Sequence, residues 1–95
     1  MSYTLRTTNK FEKSVKRCIR RNYPIETLRK VMSILVETGT LPVCYRPHNL
    51  KGKKGDFIWE CHIQPDWLLV WEQYDDELIM LMIVTGPHSV LFLKT

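Results

Sequence analysis

Ninety-five residues, with 14 Lys and Arg against 10 Asp and Glu for a formal charge of +4, make one domain with one modest core. The positive surplus favours anionic partners, nucleic acid first and an acidic protein second, unless it serves solubility alone. Cys18, Cys44 and Cys61 are odd in number and lack a CxxC pair, which argues against a disulfide framework or a cysteine zinc site; with no apolar h-region and no run near the ~20 apolar residues of a membrane span, a reduced cytoplasmic protein is expected.

Tyr3 and Leu5 alternate with Thr4 and Arg6, the period of a short first strand. Asn9 followed by Glu12 forms a capping-box signal, and Phe11, Val15, Cys18 and Ile19 recur at helical spacing, so a helix is expected to end near Asn22. Its other face carries Lys13, Lys16, Arg17 and Arg20, with Arg21 in the last turn where positive charge complements the helix dipole. Pro24 suits the first turn of a second helix. Ile25, Leu28, Met32, Leu35 and Val36 supply its apolar stripe, and Gly39 a left-handed cap. The two helices should form a hairpin.

Between Thr40 and Gly55, Pro42, Pro47, Gly52 and Gly55 mix with Lys51, Lys53 and Lys54, the composition of an irregular basic loop. Phe57 to Ile63, Trp67 to Tyr74 and Leu78 to Thr85 then read as strands, separated by Gln64-Pro65-Asp66 and Asp75-Asp76-Glu77. Connections this short imply antiparallel neighbours. Val90 to Leu93 extends the series as an edge strand. The expected class is α+β, a two-helix hairpin packed on a small antiparallel sheet in β-α-α-β-β-β order. Alternation puts Phe57, Trp59, Cys61 and Ile63 on one face of the first long strand and Ile58, Glu60 and His62 on the other. His62 is thereby directed to the face left open beside the basic loop.

All three histidines fall in the second half: His48 in the basic loop, His62 near a strand end and His88 after Thr85-Gly86-Pro87, with Asp66 in the turn just beyond His62. Singly, each has an ordinary reading as a loop or turn residue. No HxxxH or CxxC spacing supports a metal site, and no cofactor is implied.

The segments His48-Asn49-Leu50-Lys51-Gly52, Cys61-His62-Ile63-Gln64-Pro65-Asp66-Trp67 and Thr85-Gly86-Pro87-His88-Ser89-Val90-Leu91-Phe92 together resemble the YafQ-type branch of the RelE toxins, over nearly the whole chain. The His-x-x-Pro-Asp-Trp block is the most specific part. The resemblance implies a microbial-ribonuclease-like fold, a toxin of a type II toxin-antitoxin system, and metal-independent cleavage of messenger RNA in the A site of the 70S ribosome. A cognate antitoxin is the implied protein partner; whether operator DNA is bound is left open, and any such contact is expected only through the toxin-antitoxin complex.

The residue types suit that chemistry. Cleavage by the RNA's own 2′-hydroxyl needs a base for its proton, an acid for the leaving 5′-oxygen and positive charge on the phosphate. Histidine fills either proton-transfer role near neutrality, each worth roughly a hundred- to ten-thousandfold in rate. His88 is expected as general acid and Asp66 or His62 as base, with His48, Lys51 and Lys53 holding the phosphate. Trp67 and Phe92 are similar to family positions at the active site, where a ring stacks on a base or buttresses a histidine, or else packs in the core. Pro87 departs from the small hydroxyl residue usual in the family, and it fixes φ and removes a backbone donor next to His88. Two readings compete: a non-enzymatic gyrase poison of the ParE branch, which lacks this histidine set, and a basic RNA-binding module without catalysis.

Overall fold

The structure, a computed structural model, describes residues 2–50 and 57–88. The chain runs β1 (Thr4–Thr7), α1 (Asn9–Arg20), α2 (Ile25–Thr38), a 3-10 turn (Val43–Tyr45), β2 (His48–Asn49), β3 (Ile58–Gln64), β4 (Trp67–Tyr74) and β5 (Ile79–Gly86). Among the described residues the strands form one sheet in the order β1-β5-β4-β3-β2. The pairs from β2 to β5 are antiparallel, as the short connections require. β1 instead runs parallel to β5, so the sheet is mixed. The sequence between β1 and β5 contains both helices and the other strands, ample length for the crossover that a parallel pair needs. The strand expected at Val90 to Leu93 lies outside the described residues, and β2 is a two-residue strand where only loop was expected.

Helix α1 is capped one residue earlier than the sequence signal. Thr8 Oγ1 accepts from the Phe11 N–H at 3.0 Å, while Thr7 Oγ1 donates to Glu12 Oε2 at 2.8 Å. The Thr8 hydroxyl also lies 3.0 Å from the carbonyl of Ile83, the residue skipped where the β4–β5 register shifts between Val70 and Trp71. One side chain therefore starts the helix and satisfies an acceptor that the irregular ladder leaves over. The helix closes at Arg20, two residues before Asn22, which takes a left-handed φ of 62°. Helix α2 starts after Pro24 and ends at Gly39, whose φ of 74° and N–H donation to Leu35 at 2.7 Å form the expected left-handed cap.

Both helices cover the same face of the sheet. Phe11 and Cys18 of α1 and Leu28, Val31 and Leu35 of α2 meet Cys61, Ile63, Trp67, Leu69, Trp71, Met80 and Met82 in one buried cluster. Each large apolar side chain so enclosed contributes about 1.5–3 kcal/mol. The buried stripe of α1 is turned from the expected one: Ser14 is buried and Ile19 is 52% exposed. Ser14 can be buried because its hydroxyl is used twice, donating to the Phe11 carbonyl at 2.7 Å and accepting from the Thr85 N–H at 3.1 Å. Phe57, expected on the core face, precedes β3 and is exposed, its ring against Tyr74 at 4.8 Å between centroids.

Candidate active site

Along β3, Cys61 and Ile63 enter the core, so period-two alternation sends Glu60 and His62 to the face without helices. Strand β2 lies beside β3 with His48 opposite Glu60. His48 Nε2 approaches Glu60 Oε1 at 3.1 Å. His48 Nδ1 stands 3.4 Å from the Arg46 carbonyl, so the ring is bracketed by two oxygens. Glu60 is only 6% exposed although it sits on the open face. A buried carboxylate is costly without a partner, and His48 is the partner the fold supplies. Glu60 Oε2 and His62 Nδ1 are both buried without a hydrogen-bond partner among the described residues.

The β3–β4–β5 register gathers the remaining candidates at one end of the sheet. His62 pairs across to Leu68, and Leu68 pairs to Gly86. Asp66 occupies the turn beyond His62, and His88 follows Gly86 by two residues. The His88 backbone N–H donates to Asp66 Oδ1 at 3.2 Å, linking the β3–β4 turn to the segment leaving β5. His48 sits one same-face step back, opposite Glu60, about 7 Å along the strand from the His62 row. His62, Asp66 and His88 thus lie near one end of the sheet, with His48 one same-face step back from His62.

A buried polar network holds this end in place. Trp67 Nε1 donates to Thr85 Oγ1 at 2.9 Å, the Thr85 hydroxyl donates to the Leu68 carbonyl at 2.7 Å, and the Thr85 N–H donates to Ser14. Gly86 follows with a φ of 153°, a region that side-chain-bearing residues avoid. Pro87 is buried behind it. The donor that reaches Asp66 belongs to His88, so the N–H that Pro87 lacks is not the one making this link. Arg17 and Arg21 of α1 line a small crevice with Thr85, Gly86 and Pro87, bringing the basic flank of the helix beside the same loop.

Trp67 corrects one expectation. At 1% exposure it has no face to offer a nucleobase, and its ring packs edge-on against Tyr23 at 5.0 Å; of the readings open to it, buttressing from the core is the one its burial permits. Lys51, Lys53 and Phe92 lie outside the described residues. Among those described, no group of three or more His, Cys, Asp or Glu is arranged to hold a metal ion, and no helix is long and apolar enough to cross a membrane. Glu60 was not singled out by the sequence. The signal was present in its alternation with Cys61 and its shared face with His62, but its partner His48 arrives from a strand too short to recognise.

Residues 3–93 match the family described as "Bacterial toxin of type II toxin-antitoxin system, YafQ". No curated protein matches the chain. Among solved structures, the fold is similar to the toxin chain of the E. coli DinJ-YafQ toxin-antitoxin complex, with 26% identity, a TM-score of 0.87, and coverage of 97% of this chain and 99% of that one. YafQ from E. coli strain BL21(DE3) superposes with a TM-score of 0.84 at 26% identity, covering 95% of this chain and 98% of that chain. A metal-bound toxin from Helicobacter pylori is 34% identical with a TM-score of 0.84, covering 97% of this chain and 100% of that chain.

Proposed function

Because the chain belongs to the YafQ family of toxins from bacterial type II toxin-antitoxin systems, we propose that it is a ribosome-dependent, metal-independent endoribonuclease acting on messenger RNA in the cytoplasm. The observation that supports this reading is that the β3–β4–β5 register and the His88–Asp66 bond bring His62, Asp66 and His88 to one end of the sheet, with His48 one step behind. Three imidazoles and a carboxylate supply a base, an acid and positive charge, the functions that 2′-hydroxyl attack on the adjacent phosphate demands.

In this mechanism Asp66 or His62 takes the proton of the 2′-hydroxyl, the oxygen attacks phosphorus, and His88 protonates the departing 5′-oxygen. His48, with Lys51 and Lys53, carries the phosphate, and Phe92 stacks on a base. Asp66 is exposed, so the oxygen not linked to His88 is open to substrate. The cognate partner is an antitoxin that covers the basic, histidine-lined end. The E. coli relative crystallised with DinJ supports that assignment, and any contact with operator DNA would be made through the resulting complex.

The test is induction of the wild type beside His88→Ala, with growth scored, messenger RNA 5′ ends mapped on translating ribosomes, and EDTA included in vitro. Codon-phased, EDTA-insensitive cuts that disappear in the variant are expected. Equal toxicity from both proteins with intact messenger RNA would overturn the reading in favour of a gyrase poison or a binding module.

A further inference from the structure

We propose that Glu60 is a positioning residue that holds the His48 imidazole for its work on the scissile phosphate. The inference rests on the ribonuclease reading for its consequence in catalysis, but its structural core stands independently. Glu60 is a carboxylate at 6% exposure on the face opposite the main core, and among the described residues its Oε1 pairs with His48, at 3.1 Å from Nε2. His48 itself is half exposed, and its other polar neighbour is the Arg46 carbonyl, a longer 3.4 Å from Nδ1, so the Glu60 contact is the closer of the two.

A histidine is held in one orientation and tautomer by what its second nitrogen touches. Here the Nε2–H donates to a carboxylate that cannot move, because β3 anchors it between Trp59 and Cys61, and Cys61 lies in the core. The register of β2 against β3 places His48 directly opposite. Strand β2 is only two residues long, so the carboxylate also helps hold the strand that carries His48. Among the described residues, the titratable groups sharing Glu60's face nearby are His48 from β2, His62 on its own strand and Glu72 diagonally across on β4, whose residue directly opposite is the apolar Val70. His62 is two positions away with its Nδ1 buried and unpartnered. Glu60 therefore sits between the two histidines and touches one of them, which fits an orienting group rather than one that meets the substrate.

The experiment uses the full chain as wild type, Glu60→Gln and Glu60→Ala. Glutamine is isosteric and keeps an oxygen for the His48 N–H but removes the charge, whereas alanine removes the acceptor altogether. Two readouts are taken: steady-state cleavage of a messenger RNA on the ribosome, resolved into kcat and KM, and the ring 15N shifts of His48 in the isolated protein at one fixed pH. In Glu60→Ala, kcat should fall by about a hundredfold, the scale of a misplaced catalytic group, with KM little changed. In Glu60→Gln it should fall by about tenfold, because the acceptor oxygen stays in place while the charge that orients His48 is lost. The His48 ring 15N shifts should move in both. If alanine prevents folding, glutamine still decides. A folded Glu60→Gln protein whose His48 shifts and kcat both equal those of the wild type would overturn the proposal, since space-filling alone survives an isosteric change. Should the wild type cleave no RNA, the function proposed above fails, while movement or constancy of the His48 signals still judges the Glu60 contact.

Discussion

The backbone N–H of His88 donates to Asp66 Oδ1 at 3.2 Å, joining a turn and a strand exit that are 22 residues apart in sequence. Asp66 thereby has two separable duties, to fix the loop carrying His88 and to serve as a candidate base. Glutamine-like amides keep an acceptor oxygen but cannot take a proton at neutral pH. Asp66→Asn should retain the loop and the fold yet lose cleavage by roughly a hundredfold or more if the carboxylate is the base. Asp66→Ala should in addition raise hydrogen exchange at the His88 amide. Ribosomal cleavage kinetics beside amide exchange of both variants separate the two duties. Full activity of Asp66→Asn would assign the base to His62.

Trp67 supports the site from beneath. Trp67→Phe removes the indole N–H that reaches Thr85 and leaves space in a region of 1% exposure. A destabilisation of about 2 kcal/mol is expected from the lost hydrogen bond and the imperfectly filled volume. Urea unfolding followed by intrinsic fluorescence checks it. A midpoint equal to that of the wild type would mean that the Trp67–Thr85 bond contributes nothing net.

Gly39 allows two elements to approach. A Cβ there would stand 2.7 Å from Tyr3 Cε1, and φ is 74°. Gly39→Ala should therefore destabilise by more than about 1 kcal/mol, combining left-handed strain with displacement of the Tyr3 ring. Thermal or urea unfolding measures it. The same substitution at a free helix end would cost less.

The Tyr3 ring that closes over Gly39 also ties β1 to the β4–β5 turn. Tyr3 OH donates to Asp75 Oδ1 at 2.5 Å, and Gln73 Nε2 donates to the same oxygen at 2.9 Å and to the Gly39 carbonyl at 2.8 Å. These donors hold the Asp75 carboxyl below its ordinary value. A carboxylate depressed on folding adds stability above its unfolded pKa, about 3.9, and that stability is lost as pH falls through the lower folded value. The phenol of Tyr3 is pushed up, first by its bond to Asp75 and then by burial. Its contribution is complete below about pH 10 and lost as pH rises beyond the folded value. Asp75→Asn should flatten the acid side of a stability-pH curve below about pH 4. Tyr3→Phe should flatten part of the alkaline side, where the buried thiols of Cys18 and Cys61 contribute with the same sign. Chemical denaturation between these limits reads both.

Cysteine reactivity should be sharply divided. Cys44 is exposed, whereas Cys18 and Cys61 are buried, and burial pushes the Cys61 thiol up to about 12. Thiolate is the reacting species, so an alkylating agent at pH 8 should label Cys44 first and the other two only as the chain unfolds. Mass spectrometry over time, with and without urea, tests this. Rapid labelling of Cys61 in the native protein would show that the sheet opens locally.

Much of this architecture is written locally in the chain. Pro24 and Gly39 bracket α2 because one tolerates the first turn and the other a left-handed cap, constraints that operate within a few residues. Alternation along β3 placed Glu60 and His62 together opposite Cys61, because side chains in a strand must change faces at every step. The spacing of His62, Asp66 and Trp67, in order with the segments around His48 and His88, carried the resemblance to the family that matches residues 3–93.

Tertiary structure decided the rest, and in each case the partner was distant. The parallel pairing of β1 with β5 depends on where the helical crossover delivers the chain, which no local pattern encodes. Ser14 displaced Ile19 from the buried face because a β5 amide needed an acceptor. Trp67 went inward because Thr85 could receive its N–H. The Glu60–His48 and Asp66–His88 contacts came only from strand register, since hydrogen bonds between residues far apart in sequence exist only once the sheet has aligned them.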